Sequence, residues 1–96
     1  MIDARQAREE TKARITTIAE EFIINYVSEA VRESINDGFF STSIPTDGYE
    51  NPKAIGPEIV RLLETSYGYK ADFTYCEDGP RVEQYVTVSW EEGKDE

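Results

Sequence analysis

The chain of 96 residues contains no histidine and a single cysteine, Cys76. Without histidine there is no imidazole base, no histidine-based catalytic triad and no histidine metal ligand. One thiol cannot supply the three protein ligands of a usual zinc site, and it cannot form an internal disulfide. We therefore expect a non-catalytic protein with no metal and no other cofactor. We interpret Cys76 as a half-buried strand residue rather than as a nucleophile.

Long hydrophobic runs are also missing. No apolar stretch approaches the about 18 residues of a membrane helix, and Met1–Arg5 lacks the apolar block of a signal peptide. A lone thiol suits a reducing compartment. We therefore expect a cytoplasmic protein that does not enter a membrane. A chain of 96 residues has enough side chains for one core, so 1–96 is predicted to be a single domain.

Basic residues are scarce, with ten Lys and Arg against twenty Asp and Glu and a formal net charge of −10. Residues 1–17 hold four cations and three anions, whereas 18–96 hold six cations and seventeen anions. Such a charge repels phosphate backbones, so direct nucleic-acid binding is not expected. The acidic body is either a solubilising surface or a contact surface for a basic partner. Candidate contact residues on the first helix are Glu20, Glu21, Glu29, Glu33 and Asp37.

Proline and glycine are absent from Asp3 to Asp37, which predicts one long helix. Asp3 is the predicted N-cap, and Gly38 is the predicted C-terminal cap. Roughly 34 residues at about 1.5 Å each span about 50 Å, which exceeds the about 30–35 Å diameter of a compact chain of this size. We therefore expect residues 1–14 to form a projecting helical arm, either disordered or ordered by a second copy of the chain.

The apolar residues of this helix fall on two sides of a regular helical projection. One stripe contains Ile15, Ile18, Ala19, Phe22, Ile23, Tyr26 and Ala30. Ile24, Val31 and Ile35 fall on nearly the opposite side. A stripe this wide needs covering from two directions, which predicts a homo-oligomer joined through the first helix. The predicted self-association residues are Ile15, Ile24, Val31 and Ile35.

Beyond Gly38 the pattern changes to alternation. It predicts a strand over 39–44, a loop over 45–53, a second helix with Pro57 in its first turn, and strands over 69–76 and 82–90. Proline after glycine in Glu77-Asp78-Gly79-Pro80 predicts a connection longer than two residues. A right-handed crossover through the second helix predicts an α+β fold, with a long N-terminal helix and a small three-stranded antiparallel sheet in the order 1-3-2. Residues 91–96 are predicted to be a disordered tail.

Four segments together carry a resemblance: Asp3-Ala4-Arg5-Gln6-Ala7-Arg8, the long helix ending at Gly38, Tyr67-Gly68-Tyr69-Lys70, and Thr87-Val88-Ser89-Trp90. This layout resembles a class of small bacteriophage and prophage proteins over nearly the whole chain. The chain departs from the class by a longer loop over 45–53 and by extra length over 75–82. The resemblance implies a viral accessory protein in the bacterial cytoplasm, where small proteins often neutralise host factors. It supplies no catalytic residues.

The sequence is compatible with three functions. The first is a stoichiometric binder that inhibits a host protein, such as a defence or nucleic-acid-processing factor, through the acidic surface. The second is a homo-oligomeric sponge that sequesters a nucleotide signal between subunits. Its predicted ligands are Arg8, Arg14 and Arg61 for phosphate, with Tyr67 and Tyr69 for base stacking. The third is a phage structural or morphogenesis component.

Overall fold

A computed structural model of the chain describes residues 1–91. The elements in chain order are α1 (Ala4–Phe22), a π-helical turn (Ile23–Val27), α2 (Ser28–Asn36), β1 (Ser41–Pro45), α3 (Pro52–Ser66), β2 (Lys70–Asp78) and β3 (Arg81–Ser89). The strands form one antiparallel sheet with β3 in the middle, in the order β1-β3-β2. The predicted α+β fold and strand order are therefore confirmed. Apart from Glu91, the predicted tail lies outside the described residues.

α1, the π turn and α2 form one uninterrupted helix with the predicted caps. At its start, the Asp3 carboxylate accepts a hydrogen bond from the Gln6 N–H at 2.9 Å. At its end, Gly38 takes φ +83°, and the Phe39 N–H donates to the Ser34 carbonyl at 2.8 Å, which is a Schellman cap. The helix makes the molecule elongated, with a long dimension of 52 Å and a radius of gyration of 15.0 Å.

The π turn determines which side of the helix faces the core. The carbonyl of Ile23 accepts from both the N–H and the hydroxyl of Ser28, five residues later. The turn therefore contains one residue more than an α-helical turn, and it rotates all later residues back by about 100°. As a result, Val27 and Val31 are only 2% and 7% exposed and continue the buried line that includes Ala19.

This rotation corrects the expectation of two opposite apolar sides. Val31, predicted on the outer side, is buried by its own chain, because a regular 100° progression ignores the extra residue. Ile15 is half-buried against the core. Ile24 and Ile35 remain 65% and 51% exposed. Of the four residues predicted for self-association, these two are therefore the ones exposed to solvent.

α3 begins earlier than predicted. Pro52 occupies its first turn, and Pro57, which was predicted to start the helix, lies inside it. Pro57 has no N–H to donate, so the carbonyl of Lys53 loses its helical partner one turn into α3. The preceding loop is correspondingly short, covering 46–51.

The helices cover one face of the sheet. α3 packs on β2 and β3, and α2 packs on β1. Between these layers, Ile44, Val86 and Val88 are buried with apolar residues of all three helices. The opposite face is polar, and there the hydroxyls of Ser43 and Thr87 lie 3.3 Å apart.

β2 and β3 are joined by a two-residue connection, Gly79-Pro80, so the predicted longer loop is wrong. Gly79 takes φ +61° at the first central position, and a type II′ turn leaves the second with the negative φ that proline requires. Because β1 reaches only as far as Tyr85 of β3, the hairpin tip extends beyond the third strand. Cys76 lies in this extension and is exposed, not half-buried as expected.

Candidate functional site

The long helix presents acidic residues to solvent. All five predicted contact residues are exposed: Glu20, Glu21, Glu29, Glu33 and Asp37. The extra residue of the π turn places Glu21 and Glu29 on the same side although they are eight residues apart, and Glu33 follows about one turn later. Glu20 lies about 100° around the helix. We refer to Glu21, Glu29, Glu33 and Asp37 as the acidic face. Within residues 1–91, these carboxylates take part in no ion pair.

Exposed aromatic residues follow the C-terminal end of this face. Phe39 and Phe40, which come directly after the Schellman cap, are 62% and 55% exposed. The register of the sheet aligns the start of β1 with the end of β3 and the start of β2. It thereby brings Tyr67 and the edge-to-face pair of Tyr69 and Trp90, with ring centroids 6.1 Å apart, to the same end of the molecule. We call these five residues the aromatic end.

A groove between α2 and the end of α3 leads toward the aromatic end. Its volume is about 220 Å³, and its lining includes Val31, Ile35, Leu63 and Tyr67. Arg32 supplies a cation to the same lining. An apolar groove of this size can accept a protein side chain beside the acidic face.

The residues predicted for nucleotide binding are divided between separate parts of one chain. Arg8 and Arg14 lie on α1, where Arg14 lines a groove formed by the first turns of that helix. Tyr67 and Tyr69 line the groove between α2 and α3. Arg61 lies on α3 and is held in an ion pair. The single chain therefore does not bring the three arginines together with the two tyrosines.

Glu58 connects α3 to α1. Its carboxylate accepts two hydrogen bonds from the Arg61 guanidinium, at 2.8 and 2.7 Å, and one from the Thr16 hydroxyl at 2.6 Å. The Arg61 hydrogen bonds, followed by that of Thr16, lower the pKa of Glu58 from 4.5 to about 2. The ionised carboxylate therefore stabilises the packing of the two helices.

This contact predicts a pH-dependent loss of stability in Glu58→Gln. Because the pKa of Glu58 is lowered on folding, its stabilising effect is complete above about pH 4.5 and disappears as the pH falls toward 2. The Arg61 side chain is 56% exposed, so water screens the pair, and we expect a loss of only about 1 kcal/mol at pH 7. Urea unfolding at pH 7 and at pH 3 measures the difference.

Glu64→Gln is the matched control, since Glu64 is an exposed carboxylate on the same helix with no ion pair among residues 1–91. It should leave the free energy of unfolding within about 0.5 kcal/mol of the unmodified chain. A loss in Glu58→Gln that persists unchanged at low pH would contradict the ionic origin of the effect.

A second cleft of about 430 Å³ lies beside the loop that precedes α3. Its aromatic wall centres on Phe22, whose ring lies 5.6 Å from that of Tyr26 and 5.8 Å from that of Tyr49. Burial raises the pKa of the Tyr49 hydroxyl, with smaller contributions from Tyr26 and Glu21. Asp47 supplies the lining carboxylate. The lining holds no pairing of a nucleophile with a general base.

The described part of the chain contains no group of three or more Cys, Asp or Glu residues placed to hold a metal ion. Within the same residues, no helix combines the length and apolar character needed to cross a membrane. Comparison of the chain with protein-family models, curated proteins and solved structures finds no match.

Proposed function

We propose that this chain is a non-catalytic binding protein that blocks a basic surface of another protein with the acidic face of its long helix. The observation that carries the proposal is the acidic face itself, a row of exposed carboxylates fixed on one rigid helix. Their charge is not neutralised by ion pairs with residues 1–91. A basic partner would supply the missing cations, whereas an apolar or acidic partner would leave the carboxylates unpaired or repelled.

The aromatic end supports the same proposal because it offers anchors next to the charges. Binding energy at protein interfaces is concentrated in a few buried aromatic and arginine residues, while charges mainly set orientation and association rate. Phe39, Phe40 and Tyr67 are each more than half exposed and lie at the C-terminal end of the acidic face. The partner proposed here therefore combines a basic surface with an apolar recess.

The resemblance to phage accessory proteins suggests which kind of protein the partner is, namely a host factor. A host factor that binds nucleic acid contacts the phosphate backbone through Lys and Arg side chains, which form a basic surface. A rigid acidic helix on such a surface would exclude the nucleic acid by occupying its site. The chain would thus act as a stoichiometric inhibitor.

Charge reversal on the acidic face tests the proposal. The tagged chain should capture a basic protein from a bacterial lysate in a defined ratio, and the complex should weaken as salt concentration rises. The triple variant Glu29→Lys, Glu33→Lys, Asp37→Lys should bind the captured protein at least about 100-fold more weakly, because like charges would then face each other. Titration calorimetry with the purified partner measures the change.

The control variant carries the same change in net charge at exposed carboxylates away from the acidic face, the aromatic end and β2: Glu9→Lys, Glu50→Lys, Glu64→Lys. It should retain binding within a fewfold of the unmodified chain. Equal losses in the two triple variants would show a non-specific charge effect. Capture of no basic protein would contradict the proposal outright.

Self-association is a further part of the proposal. The exposed side chains of Ile24 and Ile35 support contact through the long helix, as predicted from the sequence. Two isoleucines form a small apolar surface compared with the about 800 Å² per partner of a stable interface. A second contact surface is therefore needed if the chain forms a stable oligomer.

A further inference from the structure

The outer edge of β2 is open. β2 is an edge strand of nine residues, and it pairs with β3 on one side only. Within residues 1–91, no other backbone or side-chain group forms a hydrogen bond with the backbone of this edge. A long unpaired edge is a template for strand addition.

The hydrogen bonds of the sheet show which residues of β2 face outward. On β3, the carbonyl of Gln84 accepts from Thr46 and the N–H of Trp90 donates to Phe40, so the even-numbered residues of β3 bond toward β1. The odd-numbered residues of β3 therefore bond toward β2. Their partners there are even-numbered, from Lys70 to Asp78. The outward backbone groups of β2 consequently belong to Ala71, Phe73, Tyr75 and Glu77.

We propose that two copies of the chain pair their β2 edges in antiparallel fashion about a two-fold axis at Thr74, which joins two three-stranded sheets into one of six strands. This inference rests on the proposed self-association and assigns its main surface. With Thr74 on the axis, Phe73 opposes Tyr75 of the second copy, and Ala71 opposes Glu77. All four outward-facing residues of each chain are then paired, so the complete edge is satisfied.

The side chains of β2 are complementary to themselves in this register. Lys70 opposes Asp78 of the second copy on the polar face, which pairs opposite charges at both ends of the contact. Thr74 opposes itself on the same face, and Phe73 and Tyr75 form an aromatic pair on the helix-covered face. Cross-strand pairs of these three kinds are all stabilising. Because β2 opposes favourable side-chain pairs when it lies antiparallel to its own copy, a second copy of the chain fits this edge better than an unrelated peptide does.

Neighbouring registers are less favourable. A shift of two residues in one direction places Asp72 opposite Asp78, so like charges repel twice across the axis. A shift of two residues in the other direction removes the partner of Asp78 and shortens the overlap. Charges on edge strands often prevent pairing. On β2 the charges instead favour one register over its alternatives.

The test is a charge swap read by sedimentation equilibrium. The unmodified chain should show a dimer of twice the 11.0 kDa chain mass. Lys70→Asp and Asp78→Lys should each weaken the dimer by roughly tenfold, since each replaces two attractions by two repulsions. The double variant restores opposite charges at both positions, and its dissociation constant should return to within a fewfold of the original value. Circular dichroism melting confirms that each variant is folded.

The possible outcomes distinguish pairing through the β2 edges from self-association through another surface. A monomer at all concentrations would overturn both edge pairing and self-association. A dimer that is indifferent to the β2 variants but is dissociated by Ile24→Asp with Ile35→Asp would overturn edge pairing and leave association through the helix. A double variant as weak as the single variants would show that Lys70 and Asp78 do not oppose each other, which overturns the register.

Discussion

Deleting Asn25 should leave the protein folded and about as stable as before, whereas deleting Glu21, four positions earlier, should destabilise it severely. Both residues are exposed, and both lie in the same uninterrupted helix. Asn25 is inside the π turn, and removal of one residue there converts the turn into a regular α-helical turn. Val27 and Val31 then return to nearly the same side of the helix, at about 100° per residue. We expect a change in unfolding free energy of less than about 1 kcal/mol.

Deletion of Glu21 offers no such compensation, because Phe22 precedes the π turn. If the C-terminal part of the helix rotates, Phe22 leaves the core, where it is 1% exposed and packs against Tyr49. If the N-terminal part rotates, the larger Ile18 takes the fully buried position of Ala19, and Thr16 turns away from its hydrogen bond with Glu58. Loss of a buried aromatic side chain costs about 3–5 kcal/mol, and overpacking at the position of Ala19 costs about 1–3 kcal/mol in addition to the lost Thr16 hydrogen bond.

Thermal and urea unfolding of the two deletion variants measures the contrast. A loss of about 3 kcal/mol should lower the Tm of a chain this size by more than about 12 °C. Equal destabilisation by the two deletions would show that the π turn does not set the orientation of α2.

Gly56→Ala should destabilise the protein by overpacking the contact between α3 and β2. A Cβ atom on Gly56 would lie 2.5 Å from Cγ and Cδ1 of the Phe73 ring. That distance is far shorter than a van der Waals contact. Because Cγ is bonded directly to Cβ of Phe73, rotation of the ring cannot move it away, so α3 or β2 must shift. Overpacking of this kind costs about 1–3 kcal/mol, and it opposes the about 1 kcal/mol that alanine usually gains over glycine inside a helix. Pro57 reduces even that gain, because proline disfavours helical geometry in the residue before it.

A double-mutant cycle with Phe73→Leu isolates the contact. Phe73→Leu alone leaves a gap over Gly56, while the combined variant fills that gap with the new methyl group. The two substitutions should therefore cost less together than separately, with a coupling of about 1 kcal/mol measured by urea unfolding. Additive losses would show that Gly56 is required for another reason. An increase in stability from Gly56→Ala alone would contradict the close approach of α3 to β2.

The parts of the fold that the sequence predicted are those with local signals. Asp3 and Gly38 mark the ends of the long helix by their capping chemistry, which depends on a few neighbouring residues. The strand order followed from alternation and from the handedness of the crossover. The start of α3 was missed because Pro52 and Pro57 both suit a first turn, and only the packed structure shows which one occupies it.

The π turn was missed because the helical projection assumed a constant 100° per residue. A trace of it was present, since apolar residues recur every four positions from Ala19 through Ile23 and Val27 to Val31. On a regular helix such a row drifts by about 40° per step and leaves the core. The extra residue of the π turn cancels this drift. It is favourable because it keeps the row packed against the rest of the core, and the helix propensities of single residues do not report such tertiary contacts.

The candidate site was predicted unevenly for the same reason. Exposure of the acidic residues followed from helical spacing and charge. The aromatic end was not predicted, because Phe39 and Phe40 were both included in the predicted strand over 39–44. The structure begins β1 at Ser41, two residues later than predicted, and both rings are exposed. Their convergence with Trp90 depends on strand register, which joins segments distant in the chain.

The position of β3 between the other two strands has a consequence for synthesis. β3 follows β1 and β2 in the chain but is the hydrogen-bonding partner of both. While a ribosome is still producing β3, neither earlier strand has a partner, and the apolar side of the long helix has no completed sheet to pack on. Assembly of the core must therefore wait until β3 emerges, and Ser41 pairs with Ser89 only after all of α3 has been made. A nascent chain stopped before β3 would expose its apolar side chains to chaperones and proteases.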